Sequence, residues 1–320
     1  MTKQRKILLD ERIAQVRSRL QVGRADGAIY EATIRIIELE RSLKALKGTE
    51  NTELFRHFPV AAVATLEAHF RSSVAMIVDK GEEYFTRGVA LVGDKLKASE
   101  IIPMIHKRSV SIGEIVAYSL PFSSLAHLEG VFDALLGQKF KHLSKYAEDP
   151  YLSRNNVAER KLLVQNISGL WEKLHNIFQD RHILAHESAT QFFIDYEKAA
   201  PTVECVKLII EVIDSVLWST VWKDEPLTQY EMNVAAWRNY KQTRLNLAAA
   251  IRARRKEHDT HLDISQLRIL HLKWKEWVSE WCSFSADRFV GGSIRPLIHA
   301  SELSKAYEER IRQIESITGP

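Results

Sequence analysis

Helical periodicity with very few helix-breaking residues is the feature that most constrains the fold of this chain. Its 320 residues include only 13 glycines and 8 prolines, and no stretch alternates β-branched with polar residues as a half-buried strand does. Apolar residues recur every three or four positions instead, with charged residues between them. Residues 28–47 show this spacing at Ile36, Leu39, Leu43 and Leu46. The sequence therefore predicts an all-α fold.

Turn signals divide the predicted helices into three segments. Residues 1–50 are predicted to form a helical hairpin, because Val22–Gly27 places two glycines between two periodic stretches. We interpret this hairpin as a packing or dimerisation arm. A helical bundle is predicted for residues 51–223 and a small three-helix domain for residues 226–318. A polar segment around Pro226 separates the bundle from the three-helix domain.

Several helix boundaries are marked by capping and breaker residues. Pro59–Lys80 is predicted to be a buried helix whose small residues allow close approach of its neighbours. The helix after Pro121 is predicted to begin at Ser123 or Ser124 and to end at Gly137. The three C-terminal helices are predicted at residues 231–255, 265–289 and 294–314.

Composition and charge are those of a soluble globular protein. Hydrophobic residues make up 45% and charged residues 27% of the chain, which is ordinary for a folded domain. The net charge of +4 is compatible with a nucleic-acid partner. Cys205 and Cys282 fall in different predicted domains, so no disulfide framework is expected. Because there is no apolar N-terminal segment and no uncharged apolar stretch of ~18 residues, we expect a cytoplasmic protein without a membrane partner.

The stretch FQDRHILAHESA, residues 178–189, concentrates protonatable side chains in two helical turns. At about 100° per residue, His182 and His186 share a helix face, whereas Arg181 points about 140° away from His186. An imidazole titrates near neutrality and can move a proton to or from a ribose or phosphate oxygen. A guanidinium offers a planar fork to phosphate oxygens. The cluster therefore suits attack on a phosphodiester, and a second copy of the chain could complete it.

Two other interpretations of this stretch stay open. Zinc is one, because His182 and His186 are four residues apart; however, the HExxH and HxxEH arrangements need a glutamate where this chain has Ile183 or Ala185. The other is a solvated polar helix face whose side chains have their own hydrogen bonds.

Arg181, His182 and His186 also match the R-x4-H motif, with a polar residue after the arginine, and the preceding segment SVSIGEIVAYSLPFSSLAHLEGVFDALLG (residues 109–137) fits the same context. Over residues 52–222 the chain resembles HEPN domains of the RiboL-PSP and MAE types. The resemblance implies an all-α bundle that dimerises with its motifs facing each other, and metal-independent endoribonuclease activity in the active families. It further implies that Arg181 binds and polarises phosphate, His186 is the general acid/base and His182 orients the site.

Three motifs in the C-terminal segment carry a second resemblance: EMNVAAWRNYKQTRLN, LKWKEWVSEWCSF and GGSIRPLIHASELSKAYEERIRQIE. Residues 226–318 are similar to the LprI-type lysozyme-inhibitor domain. The family's first and last cysteine positions are occupied here by Ala235 and Glu302, so Cys282 lacks its disulfide partners. This departure fits a reducing compartment and argues against secreted lysozyme inhibition. Four tryptophans are interpreted as core residues, with a partner-binding surface as the alternative, namely Trp237, Trp274, Trp277 and Trp281.

The sequence thus leads to a cytoplasmic, homodimeric endoribonuclease, of the kind that acts as a toxin or anti-phage effector, with RNA as substrate. Its expected catalytic residues are Arg181 and His186, supported by His182, with no cofactor and no metal ion. Glu67 and Glu129 are expected on helices near the motif, in solvent-exposed or capping roles. The alternative is a non-catalytic adaptor whose LprI-like domain binds a protein partner.

Overall fold

The structure, a computed structural model, describes residues 9–19, 28–93, 101–102, 104, 106, 110–155, 161–256 and 263–316. Within these residues the regular structure is helical, and no strand is formed beyond an isolated bridge between Glu148 and Leu162. The predicted all-α fold is confirmed. The chain divides into two compact units, residues 1–223 and residues 224–320. The turn predicted at Val22–Gly27 lies outside the described residues.

The first unit is built from short and long helices in succession. They are α1 (Leu9–Arg17), α2 (Ala28–Ala45), α3 (Thr52–Phe55), α4 (His57–Asp79), α5 (Glu82–Val92), α6 (Ile112–Ser119), α7 (Leu125–Leu136), α8 (Phe140–Leu143), α9 (Pro150–Arg154), α10 (Ile167–His186) and α11 (Tyr196–Ser219).

Helix α4 is the central element of the first unit. It packs against α2, α5, α6, α7, α10 and α11, and Leu66, Phe70 and Val74 on it are almost fully buried. Each such side chain contributes about 1.5–3 kcal/mol to folding relative to an exposed position. The predicted helix at Pro59–Lys80 is confirmed. Its sequence is apolar because other helices pack against it on several sides. Helix α2 shares this core through Ile36 and neighbouring residues.

Capping residues explain where the helices near the candidate site begin and end. The Ser124 side chain accepts a hydrogen bond from the backbone N–H of His127 at the start of α7, and Gly137 ends that helix with a φ of +68°. A left-handed residue is the usual helix stop, and glycine adopts it without a steric penalty. The predicted start at Ser124 and stop at Gly137 are therefore confirmed. Helix α10 begins after Asn166, whose side chain accepts a hydrogen bond from the N–H of Gly169.

In its described residues, 224–256 and 263–316, the second unit contains three helices, as predicted. Helix α14 packs against both α12 and α13, and the three enclose a small core that includes Val278, Cys282 and Leu303. No helix in the described part of the chain is both long enough and apolar enough to cross a membrane. The helices of this unit are α12 (Gln229–Lys256), α13 (Ile264–Asp287) and α14 (Arg295–Glu315).

Candidate functional site

The candidate site lies at the C-terminal end of α10. The helix buries Trp171, Leu174 and Phe178 in the core of the first unit. This apolar face fixes the rotation of α10, so that His182 and His186 on its final turn are exposed to solvent. A cationic or neutral imidazole at a helix C-terminus is compatible with the negative end of the helix dipole.

The two histidines of the final turn lie against each other. The ring centroids of His182 and His186 are 4.9 Å apart, and the ring planes are inclined at 54°. This is the contact expected for residues four positions apart on one helix face. The arrangement presents two imidazoles side by side at an open surface, where a phosphodiester can approach both.

Arg181 points away from the histidines and toward α4. Its Nη2 lies 3.5 Å from Oε1 of Glu67, and the two side chains are 23% and 18% exposed, respectively. The Arg181 Nε and the Glu67 Oε1 are buried without an aligned hydrogen bond, so the contact is an ion pair rather than a bidentate hydrogen-bonded fork. Burial raises the pKa of Glu67, while the charges of Arg181 and Arg71 act in the opposite direction.

The structure thus brings His182 and His186 together and pairs Arg181 with a residue of another helix. The exposed or capping role expected for Glu67 is wrong, because its carboxylate is partly buried beside Arg181. Glu129 also has a different role: it accepts a hydrogen bond of 2.5 Å from Nε1 of Trp171, near the start of α10. Two carboxylates on two helices therefore hold α10 in place.

Arg56 is a residue of this region that the sequence did not point to. Its Nη1 donates hydrogen bonds to the carbonyl oxygens of Ala189 (3.2 Å) and Phe192 (2.9 Å). These two carbonyls belong to the turn that follows His186, in which Ala189 has a φ of +28°. A non-glycine residue in this region of φ is strained. Arg56 thus holds the segment after the candidate site in a defined, strained conformation, and no local pattern in the sequence signals a contact across so many residues.

The described residues contain no cluster of three or more His, Cys, Asp or Glu side chains arranged to hold a metal ion. The His182 and His186 imidazoles are the described side chains of the final turn that can take up or release a proton, and the Arg181 guanidinium of the same helix faces Glu67.

The tryptophans of the second unit do not all lie in its core. Trp237 and Trp274 are partly buried against it, as predicted. Trp277 and Trp281 are 57% and 50% exposed, so the core role predicted for them is wrong. Their rings stack with 6.0 Å between centroids, and Phe284, 68% exposed, continues the row at 6.0 Å from Trp281. We call Trp277, Trp281 and Phe284 the aromatic row.

Comparison with known proteins finds a family match for the second unit. No curated protein and no solved structure matches the chain. The HEPN resemblance of residues 52–222 stays a prediction. Residues 223–314 match the family model described as Lysozyme inhibitor LprI, so the C-terminal part of the chain is similar to that family.

Proposed function

We propose that the chain is a metal-independent endoribonuclease whose centre is the final turn of α10. The observation that carries this proposal is the pair of exposed imidazoles, His182 and His186, with ring centroids 4.9 Å apart. Arg181 on the same turn supplies a guanidinium. These groups are the ones that cleavage of a ribose phosphodiester requires when no metal ion takes part.

In the proposed reaction the 2′-oxygen of RNA attacks the adjacent phosphorus. An imidazole removes the proton from the 2′-hydroxyl, the bond between phosphorus and the 5′-oxygen breaks, and that oxygen receives a proton as it leaves. The products are a 2′,3′-cyclic phosphate and a 5′-hydroxyl. His186 is the general acid/base, His182 orients it, and Arg181 stabilises the negative charge on the phosphate oxygens.

The position of Arg181 makes a second copy of the chain part of this proposal. On one helix Arg181 points about 140° away from His186, and its guanidinium is held 3.5 Å from Glu67. A guanidinium has five N–H donors, so a carboxylate on one side leaves others for phosphate. In a two-fold dimer, the Arg181 of one copy can face the histidines of the other.

Incubation of purified protein with RNA in the presence of EDTA tests the proposal. We expect wild-type protein to release fragments ending in 2′,3′-cyclic phosphate, and His186→Ala to cut at least about 100-fold more slowly. His175→Ala is the matched control, because His175 is also exposed on α10 but lies three turns from its end, beside Gln179. The control should cut like wild type. Intact RNA with dimeric wild-type protein, or equal cutting by His186→Ala, would contradict the proposal.

A second candidate function is protein binding by the LprI-type unit. The observation that favours it is the aromatic row, because large exposed aromatic side chains are enriched at protein interfaces. The family to which residues 223–314 are similar is named for inhibition of a protein, lysozyme. This function requires neither His186 nor RNA, so it remains testable if the ribonuclease proposal fails.

Site-specific photo-crosslinking in cells tests protein binding. A photoreactive residue replaces Trp281 in one variant and Glu308, an exposed residue of α14, in the control. We expect a discrete adduct with one protein from position 281 and none from position 308. Absence of an adduct at position 281, or the same adducts at both positions, would argue against the aromatic row as a binding surface.

A further inference from the structure

A cavity of the first unit lies apart from the candidate site. It has a volume of about 830 Å³, and α1, α2, α4 and α6 contribute its lining. Small-molecule sites are commonly clefts of about 300–1,000 Å³ with mostly apolar walls and a few polar groups. The cavity therefore has the size of a site for a small organic molecule.

The floor of the cavity is formed by small side chains of α4, including Ala61, Ala64, Thr65 and Ala68. The sequence predicted that small residues in this helix allow close approach of a neighbouring helix. At these positions the small side chains leave space instead, and Ala64 and Ala68 are open to solvent. Their methyl groups make the floor apolar.

Arg71 supplies a positive charge at this apolar floor. Its guanidinium carbon lies 5.1 Å from the ring centroid of Tyr118 and 5.2 Å from that of Phe122. Its Nε is buried without a hydrogen-bond partner. Among the described residues, no carboxylate lies within ion-pair distance of Arg71, and burial lowers its pKa. An arginine that stacks on rings through its face keeps the N–H groups along its edge available for an anion.

Three other arginines line the cavity, namely Arg17, Arg19 and Arg35. Arg19 is exposed to solvent, whereas Arg17 and Arg35 each lie beside a carboxylate. Arg17 donates to both carboxylate oxygens of Glu114, with 2.7 Å between Nε and Oε1. Arg35 lies 3.8 Å from Glu38. The charges of Arg17 and Arg35 are thus each offset by a carboxylate within ion-pair distance, whereas Arg71 contacts two aromatic rings and interacts with Glu67 only at longer range. Arg71 is therefore the guanidinium best placed to hold a ligand.

We infer that this cavity binds a small organic oxyanion, a carboxylate or a phosphate attached to an apolar body, with Arg71 as its anchor. The oxyanion accepts hydrogen bonds from the guanidinium edge, and the apolar body lies on the alanine floor. Such a ligand satisfies the buried cation of Arg71 and removes apolar surface from water at the same time. The site is distinct from the final turn of α10 and does not depend on ribonuclease activity.

Isothermal titration of the full chain tests this inference with two probes. Dodecanoate represents an acyl carboxylate, and adenosine monophosphate represents a nucleoside phosphate. We expect at least one probe to bind, and Arg71→Gln to weaken its binding by about tenfold or more, because a charge-assisted hydrogen bond is lost. Ala68→Leu should also weaken binding, because it fills the floor while leaving Arg71 in place. Arg312→Gln, which removes an exposed arginine of the second unit, is the control for net charge.

The probe that binds identifies the class of the ligand. Binding of dodecanoate alone indicates an acyl carboxylate as ligand, and binding of adenosine monophosphate alone indicates a nucleoside phosphate. If neither probe binds, or if Arg71→Gln and Ala68→Leu bind as wild type does, the inference is overturned. Should Arg71→Gln fail to fold by circular dichroism, Ala68→Leu decides the question.

Discussion

Arg181 at the end of α10 and Glu67 in the middle of α4 form an ion pair of 3.5 Å that joins the candidate site to the central helix of the first unit. Glu67 also interacts electrostatically with Arg71, which lines the cavity. The same carboxylate therefore interacts electrostatically with two guanidinium groups, one at the proposed catalytic surface and one at the proposed ligand site.

Removal of Arg181 is expected to destabilise the first unit more than removal of the Glu67 charge. Arg181→Ala leaves the partly buried Glu67 carboxylate without its cation, and should lower the free energy of unfolding by about 1–3 kcal/mol. Glu67→Gln removes a charge that burial already disfavours, and should change the unfolding free energy by less. Urea denaturation of both variants measures the difference.

The double variant provides the control for this prediction. If loss of the ion pair causes the destabilisation, Arg181→Ala should lower the free energy of unfolding by about 1 kcal/mol less in the Glu67→Gln background than in wild type. Additive effects of the two substitutions would show that Arg181 stabilises the unit through other contacts.

The helices could be predicted from the sequence because their signals are local. The apolar periodicity that predicts Pro59–Lys80 corresponds to α4, and the capping residues Ser124 and Gly137 mark α7 where expected. The contact of His182 with His186 is local too, since it follows from the helical repeat.

The partner of Arg181 could not be predicted in the same way. Helix geometry says only that Arg181 points away from His186; which helix lies on that side is decided by tertiary packing. The exposure of Trp277 and Trp281 could not be predicted from the sequence for a related reason. Tryptophan is usually largely buried. The hydrophobic core that α12, α13 and α14 enclose is small, however, and does not cover all of these rings.

Loss of Arg56 should loosen the segment that follows His186. Arg56→Ala leaves the carbonyls of Ala189 and Phe192 without their donor, and should cost about 1–3 kcal/mol. Hydrogen exchange should become faster at residues 187–195. Arg56 also forms an ion pair with Glu53, with 3.4 Å between Nε and Oε2. Glu53→Gln is the control. Because Glu53 is largely exposed, this substitution should change the free energy of unfolding by less than about 1 kcal/mol. Equal effects of the two variants would assign the role of Arg56 to that ion pair instead.

Glu40 should make stability depend on pH in the acid range. Its carboxylate accepts hydrogen bonds from Lys44 (2.6 Å) and from Lys207 of α11 (2.9 Å), and these bonds lower its pKa from 4.5 to about 2. A carboxyl group with a lowered pKa in the folded state binds protons more weakly there than in the unfolded chain. Its contribution is therefore complete above pH 4.5 and is lost as pH falls toward 2.

Comparison of wild type with Glu40→Gln measures this contribution. We expect a difference in unfolding free energy of about 1 kcal/mol near neutral pH, because both lysines of the pairs are exposed to solvent, and a smaller difference as the pH falls below 4.5. Lys207→Met, which removes the partner on α11, should show the same trend. A difference that does not change with pH would refute the assignment.

Both cysteine thiols should be unreactive in the folded protein. Cys205 and Cys282 are free and buried, and burial raises the pKa of each thiol from 9.0 to about 11. At about pH 8 the thiolate fraction is then about 100-fold below that of an unperturbed thiol, and only the thiolate reacts. Titration with a chromogenic disulfide reagent should show slow reaction of the native protein and two rapid equivalents in guanidinium chloride. The variants Cys205→Ser and Cys282→Ser each remove one thiol and so assign the observed reaction to one unit. Rapid reaction of native Cys282 would contradict the prediction and would show that the core of the second unit opens to solvent around α13.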